Sequence, residues 1–140
     1  MTQRSTKSRD SSLDRRTLAV KASIEAKPGA TAHPNTVPGA IIYKVMGKMF
    51  AILSFRHFSG VIVKCEPELV DVLRQQYTGI GRRGHLDPRF WISVSLDVDT
   101  DVPAKEAKRL VALSYDLVCA KLTRKQKAEL QATNHARNED

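Results

Sequence analysis

The segment spanning residues 85–122, HLDPRFWISVSLDVDTDVPAKEAKRLVALSYDLVCAKL, limits the possible folds more than any other part of the chain. Alternating apolar and polar residues predict a strand over residues 90–96, with Trp91 on the same face as the serines. Pro103 then begins a long helix whose apolar residues form one continuous stripe. Because an apolar strand face and an apolar helix stripe must both be buried, the segment predicts a helix packed on a sheet.

Two other regions have strand patterns. Residues 40–55 are rich in β-branched and aromatic residues, and the break at Met46-Gly47-Lys48 predicts two antiparallel strands joined by a tight turn. Alternation over residues 61–65 predicts a further strand. Residues 30–39 contain two prolines, and since a residue before proline avoids the helical region, this stretch is predicted to be a loop.

Helical spacing predicts three more helices. The first lies near residues 13–26, and the second covers residues 67–77, beginning with a proline between two acids that favour the positive end of the helix dipole. Thr123 and Gln126 have the spacing of a capping box, which predicts a separate short helix over residues 124–132. The alternative is that the last two predicted helices form one continuous helix, in which case no helix terminus is exposed there.

The length of the chain is suited to one domain. Its 140 residues, 41% of them hydrophobic, can bury one core of ordinary size but not two. We predict a folded domain over residues 13–131, a disordered basic tail at residues 1–12 and a frayed polar tail at residues 132–140. We expect the domain to be a monomer.

The charge of the chain favours a polyanionic partner. The formal net charge is +8, and residues 1–27 alone hold seven Lys and Arg against three acids. Such an excess attracts nucleic acid or an anionic membrane surface, and a basic arm can bind phosphates with salt-sensitive affinity. A basic tail is also common as a solubilising segment, so charge alone leaves both interpretations open.

Other features predict a soluble cytoplasmic protein without a membrane partner. No apolar run approaches the roughly 20 residues that a membrane span needs, and the N-terminal segment lacks the apolar core of a secretory leader. Cys65 and Cys119 each lie in an apolar run and form no CxxC pair. We therefore expect reduced core thiols whose burial raises their pKa and makes them unreactive.

Three segments together resemble the MmcQ/YjbR family. They are KVMGKMFAILS at residues 44–54, HLDPRFWISVSL at residues 85–96, and SYDLVCAKLTRKQK at residues 114–127, and the resemblance covers about residues 17–128. It implies a CyaY-like α/β (α+β) fold in which an antiparallel sheet of about four to five strands packs against helices. It also implies DNA binding of the type compared with a double-wing motif. The chain departs from the family pattern at residues 33–36, HPNT, where relatives have an acidic and aromatic segment.

Two segments partly match the residue pattern of a known site but lack other features that the site requires. Residues 79–84, GIGRRG, match the dinucleotide pattern G-x-G-x-x-G, but they follow a helix and precede a strand, the reverse of what that site requires. Three aspartates alternate over residues 97–101, but Val102 and Lys108 stand where a calcium loop needs glycine and glutamate. We therefore predict no cofactor and no metal, and interpret the acids as a solvated turn.

Histidine chemistry gives little support to an enzyme. The four histidines lie far apart, and none stands with cysteine or carboxylate at zinc-ligand spacing. His85 and Asp87 could form an orienting pair for acid-base chemistry, but no nucleophile or oxyanion donor can be assigned beside them. We predict no catalytic residue and rank an enzyme below the binding functions.

Basic side chains form the candidate nucleic-acid interface. Arg82 and Arg83 stand in a glycine loop that could contact phosphates, although a solvated turn has the same composition. Cations around the predicted N-terminus of the last helix would meet free N–H groups there, which together favour a bound anion. The full set of candidates is Arg82, Arg83, Arg89, Lys121, Arg124, Lys125, Lys127, Lys44, Lys48, Lys64 and Trp91.

A sheet face provides the second part of this interface. Strand alternation can place Lys44, Lys64 and Trp91 on one face, like the platforms on which nucleic-acid bases stack, although a helix or the N-terminal segment could cover Trp91. We predict a non-enzymatic protein that associates with DNA or another polyanion mainly through phosphates. The alternative is a protein-interaction or small-ligand module that uses this face and residues 78–91.

Overall fold

A computed structural model describes the backbone of residues 15–34, 38–55, 59–81 and 86–139, and side chains as far as residue 133. Within these ranges, a six-stranded antiparallel sheet packs against helices. The strands are β1 (Ala30–Pro34), β2 (Ala40–Val45), β3 (Lys48–Phe55), β4 (Ser59–Lys64), β5 (Ile80–Gly81) and β6 (Trp91–Ser95), in the order β1-β2-β3-β4-β6-β5. The helices are α1 (residues 15–25), α2 (Pro67–Gln76), α3 (Ala104–Ala120) and α4 (Arg124–Glu139). The predicted α+β single domain is confirmed, with more strands than expected.

The predicted hairpin at residues 40–55 is confirmed. Strands β2 and β3 are joined by Met46 and Gly47, whose φ angles are 50° and 81°. Positive φ at both central residues is the geometry of a type I′ turn, which matches the right-handed twist of the two strands. Glycine adopts this conformation without steric cost.

The prediction that residues 30–39 form a loop is wrong in its first half. Residues 30–34 are strand β1, which pairs with β2 from Ala30 opposite Val45 to Pro34 opposite Ile41. Pro34 is tolerated because β1 is an edge strand and the proline is its last residue. Residues 35–37 lie outside the described part of the chain. Strand β5 was also missed, since two residues are too few to show a period.

The last two helices are separate, as the capping box predicts. Helix α3 ends at Ala120, and α4 begins at Arg124 with Thr123 as its cap. The Gln126 N–H donates to Thr123 Oγ1 over 3.1 Å, and the Thr123 N–H donates to Gln126 Oε1 over 3.0 Å. The predicted end near residue 132 is wrong, because α4 continues to Glu139 and no glycine or proline interrupts it.

The core lies between one face of the sheet and the helices. Val61, Val63 and Val94 are fully buried on that face, as their alternation predicts. Helix α1 contributes Val20 and Ile24 to the same core. Helix α3 contributes Ala107, Leu110, Val111, Tyr115 and Val118 to this core.

A β-bulge interrupts the sheet at Phe50. Tyr43 lies opposite Ala51, whereas Lys44 lies opposite Met49, so Phe50 is an extra residue in β3. The Phe50 side chain is fully buried, and its ring packs edge-on against the ring of Tyr115 with centroids 5.3 Å apart. The β3–β4 ladder ends at the adjacent pair, Ala51 and Val63.

The buried hydroxyl of Ser114 bridges backbone groups where the ladder ends. It donates to the carbonyl of Phe50 over 2.6 Å and accepts from the N–H of Lys64 over 2.9 Å. Ser114 has no exposed surface, so these two partners replace water for both backbone groups. The bridge therefore joins α3 to β3 and β4 and fixes the position of the helix, along its own axis, relative to the sheet.

The acidic turn at residues 97–101 has a structural role beyond a solvated turn. The Asp101 carboxylate accepts hydrogen bonds from the N–H groups of Thr78 and Gly79 over 2.8 and 2.9 Å. These bonds connect the turn before α3 to the turn between α2 and β5. They also lower the pKa of Asp101 below its ordinary value of 3.8.

We expect Ser114→Ala to lower the free energy of unfolding by about 3 kcal/mol, because it leaves the Phe50 carbonyl and the Lys64 N–H without a partner. The measurement is equilibrium denaturation in urea. The control is Ser54→Ala, a half-buried serine in β3, for which a change within about 0.5 kcal/mol is expected. Equal midpoints for the two variants would contradict the bridging role.

We expect Asp101→Asn to destabilise the fold at neutral pH and to lose that effect in acid. The amide keeps the size of the side chain but has one acceptor oxygen instead of two. Because the folded-state pKa of Asp101 is lowered, the wild-type carboxylate stabilises the fold above pH 3.8 and loses this effect as the pH falls through the folded pKa. The check is the difference in unfolding free energy between the two proteins as a function of pH. A difference that stays constant into acid would contradict the assignment.

Candidate functional site

An open cavity of 440 Å³ lies where β4 ends and β6 begins. Lys64 and Trp91 are paired across these two strands, and the Cys65 N–H donates to the carbonyl of Phe90 over 2.7 Å. The cavity is lined by Lys64, Cys65, Glu66, Pro67, Phe90, Trp91, Leu117 and Lys121. Its volume is within the range of small-molecule sites.

Helix α3 contributes one wall of the cavity because of how Ser114 is held. Leu117 and Lys121 follow Ser114 by three and seven residues, so all three lie on one side of the helical path. Since the Ser114 hydroxyl is bonded to the N–H of Lys64, the next turns of α3 pass beside the end of β4. This places Lys121 close to a lysine that is 57 residues away in sequence.

The hairpin lysines stand at the same end of the sheet. Strands β2 and β4 run in the same direction, so Lys44 in β2 and Lys64 at the end of β4 share that end. One strand separates them, which puts their backbones roughly 10 Å apart. Lys48 follows the hairpin turn and lies opposite Val45, one position nearer the end.

Helix α4 also crosses this end of the sheet. It starts beside the cavity, after Lys121, and its Leu130 packs against Gly29, the residue before β1. The cations in its first turn are Arg124, Lys125 and Lys127, all of them exposed. We call Lys44, Lys48, Lys64, Lys121, Arg124, Lys125 and Lys127 the basic end of the sheet.

The cations of the basic end are not neutralised by the described acids. Among the described side chains, no carboxylate lies within 4.0 Å of any of these seven groups. The described ion pairs join Lys21 to Glu25, Arg89 to Asp87, and Arg109 to Glu106. The basic end therefore presents charge that is available to an anion.

Arg89 is placed differently from the other candidates. Its guanidinium donates to both carboxylate oxygens of Asp87, and this pairing lowers the pKa of Asp87. Its Cζ lies 5.2 Å from the ring centroid of Phe90. It lines a separate cavity of 270 Å³ beside α2, so it borders the basic end without belonging to it.

Several predicted residues lie outside the described part of the chain. They are Arg82 and Arg83 of the glycine loop, His85, and the basic tail at residues 1–12. Their contribution to the interface stays a prediction. His33, by contrast, is described and exposed on β1, where its Nε2 lies 2.8 Å from Thr31 Oγ1.

Trp91 occupies the face that its alternation predicts. The β4–β6 register puts Lys64 opposite Trp91 and Ile62 opposite Ser93, on the face away from Val61 and Val63. Trp91 is half-buried, so a ligand in the cavity could reach part of its ring.

Sequence reasoning missed the cavity residues Glu66, Pro67, Phe90 and Leu117. Their proximity depends on the β4–β6 register and on the position of α3, which no local pattern encodes.

Cys65 is buried in the core as predicted, whereas Cys119 is half-buried and packs against the core. Burial raises the pKa of Cys65, and burial is also the main cause of the raised pKa of Cys119. Both thiols are therefore protonated at neutral pH and poor nucleophiles. Cys65 contributes apolar surface to the cavity wall.

The described residues contain neither a metal site nor a membrane-spanning helix. No group of three or more His, Cys, Asp or Glu side chains there is arranged to hold a metal ion. Among the helices of the described ranges, none has the length and apolar character needed to cross a membrane.

Comparison with known proteins identifies relatives. Two Escherichia coli proteins named "Uncharacterized protein YjbR", from strains K12 and O157:H7, are each 33% identical over 91 residues, which cover 64% of this chain and 75% of theirs. The Deinococcus radiodurans protein DR2400, a DUF419 domain, superposes with a TM-score of 0.71 at 26% identity, covering 80% of this chain and 85% of its own. A Pseudomonas syringae protein superposes with a TM-score of 0.57 at 23% identity, covering 69% of this chain and 92% of its own, and so shares the fold.

A match to a protein-family model shows which family the chain belongs to. The model named YjbR matches residues 25–117, from the end of α1 to the cavity wall of α3. This range contains the hairpin, strands β4 to β6 and most of the cavity. With this match over more than half of its length, the chain belongs to the YjbR family.

Proposed function

We propose that this protein associates with nucleic acid through phosphate contacts of low sequence specificity at the basic end of the sheet. The observation that carries this proposal is the convergence of cations from four elements, β2, β3, the end of β4 and the α3–α4 region, at one end of one sheet. Phosphates spaced along a backbone are suited to such a group of lysines and arginines.

The free state of these cations supports the proposal. A cation already paired with a carboxylate gains little from a phosphate, because the old pair must first be broken. Among the described side chains, the basic end has no such pairs, whereas Arg89 and Arg109 have them. Phosphate binding at the basic end would therefore gain the full benefit of counterion release.

The N-terminus of α4 adds a second source of attraction. The capping box uses the N–H groups of Thr123 and Gln126, while the positive end of the helix dipole faces the same region. Exposed Arg124 and Lys125 stand there at a small electrostatic cost to the helix. A phosphate oxygen near this turn would remove that cost. The family resemblance, which implies DNA binding, favours nucleic acid as the polyanion.

We expect Lys121→Ala/Lys125→Ala to weaken binding of a fluorescent oligonucleotide and to make the affinity less dependent on salt. Each lost phosphate contact reduces the slope of log affinity against log salt by about 1. The measurement is fluorescence anisotropy at several salt concentrations. The matched control is Lys105→Ala/Lys108→Ala, which removes two exposed charges near the start of α3, at the other end of the sheet.

The control separates a local site from general charge. Equal losses in the two double variants would show that only net charge matters, and would contradict a site at the basic end. A third variant neutralises the tail cations Arg4, Lys7 and Arg9. If this variant alone abolished binding, the tail and not the sheet would be the interface.

A further inference from the structure

The cavity beside the basic end combines aromatic surface with two cations. Trp91 and Phe90 contribute rings, Pro67 and Leu117 contribute apolar walls, and a lysine stands on each of two sides, at the end of β4 and the end of α3. Flat aromatic rings that meet apolar walls near phosphate-binding cations are the features of sites for unstacked bases.

We propose that this cavity receives one unpaired base of a single-stranded nucleic acid, stacked on Trp91, while the basic end binds the neighbouring phosphates. This inference rests on the proposed function and adds the class of nucleic acid. A free nucleotide has the same combination of base and phosphate, so the experiment below includes one. The charge around the cavity favours the strand, because cations extend from it to the hairpin and to α4.

The size and exposure of the cavity suit a base. Its 440 Å³ exceeds what one base needs and leaves room for the attached sugar. Phe90 is 37% exposed and Trp91 is half-buried, so parts of both rings are open to a ligand. Every base has a π-face, so stacking here requires no particular sequence.

The polar groups of the cavity fit the two ends of a nucleotide. Lys64 and Lys121 can each bind a phosphate, and among the described side chains neither is paired with a carboxylate. The Glu66 carboxylate can accept a hydrogen bond from an exocyclic amino group of a base. Glu66 stands before α2 without a side-chain capping bond, so its oxygens are available for this role.

A duplex cannot use the cavity in the same way. Its bases are already stacked and paired, and a base must be unstacked and unpaired before it can enter a protein pocket. The phosphates of a duplex could still contact the basic end. The structure therefore predicts a preference for single strands that arises in the cavity and not in the phosphate contacts.

The intrinsic fluorescence of Trp91 tests this directly, because the chain contains one tryptophan. A single-stranded oligonucleotide of mixed sequence, the same sequence as a blunt duplex, and adenosine monophosphate are titrated into the full-length protein. We expect the single strand to quench Trp91 on binding, and the duplex to raise the anisotropy of its label while leaving the tryptophan emission nearly unchanged.

Variants then separate stacking from phosphate binding. Trp91→Leu should weaken single-strand binding by about tenfold, leave duplex binding and the salt slope unchanged, and be largely rescued by Trp91→Phe. Lys44→Ala/Lys48→Ala should reduce the salt slope and leave the quenching at saturation intact. Circular dichroism of each variant shows whether it is folded, and the wild-type fluorescence remains a test if Trp91→Leu is not.

The outcomes distinguish this inference from the proposed function. Equal binding of single strand and duplex without quenching would overturn the inference and leave phosphate binding standing. Quenching by adenosine monophosphate without quenching by the single strand would make the cavity a nucleotide site and overturn the inference too. Absence of anisotropy change with either oligonucleotide would overturn both.

Discussion

The hydroxyl of Ser114 is the contact on which the arrangement of the candidate site depends. The bulge at Phe50 and the end of the β3–β4 ladder fall at the same place, and the hydroxyl bonds to the Phe50 carbonyl and the Lys64 N–H there. A hydroxyl can donate and accept at once, so one side chain satisfies both groups. The same hydroxyl also fixes the position of α3, along its own axis, relative to the sheet. The positions of Leu117 and Lys121 beside the cavity follow from this axial position.

Strand direction explains why the basic residues converge. In an antiparallel sheet, the end of β2, the start of β3, the end of β4 and the start of β6 all lie on one side. Lys44, Lys48 and Lys64 therefore share one end of the sheet. Helix α4 then crosses the same end, because Leu130 packs against Gly29 next to β1. None of the described ion pairs includes a cation of the basic end.

The site combines two kinds of surface with different physical consequences. Cations around the sheet end contribute long-range, salt-dependent attraction that does not depend on the sequence of a bound strand. The half-buried ring of Trp91 contributes short-range contact that requires an accessible base. The YjbR family match ends at Leu117, so it covers most of the cavity but only Lys44, Lys48 and Lys64 of the basic end, and Lys121 lies beyond it. The cations of α4 lie beyond it.

The sequence by itself determined the elements that have strong local signals. The hairpin turn at Met46 and Gly47, the capping box at Thr123, the proline start of α2 and the stripe of α3 depend on near neighbours, and each was found where it was predicted. Residues 30–34 were predicted as a loop, because their pairing with β2 comes from across the sheet and local prolines oppose it. Tertiary structure alone decided which cations share one end of the sheet and that Trp91 lines a cavity. Register, the bulge at Phe50 and the position of α3 set these distances, and all three arise from contacts between residues far apart in the chain.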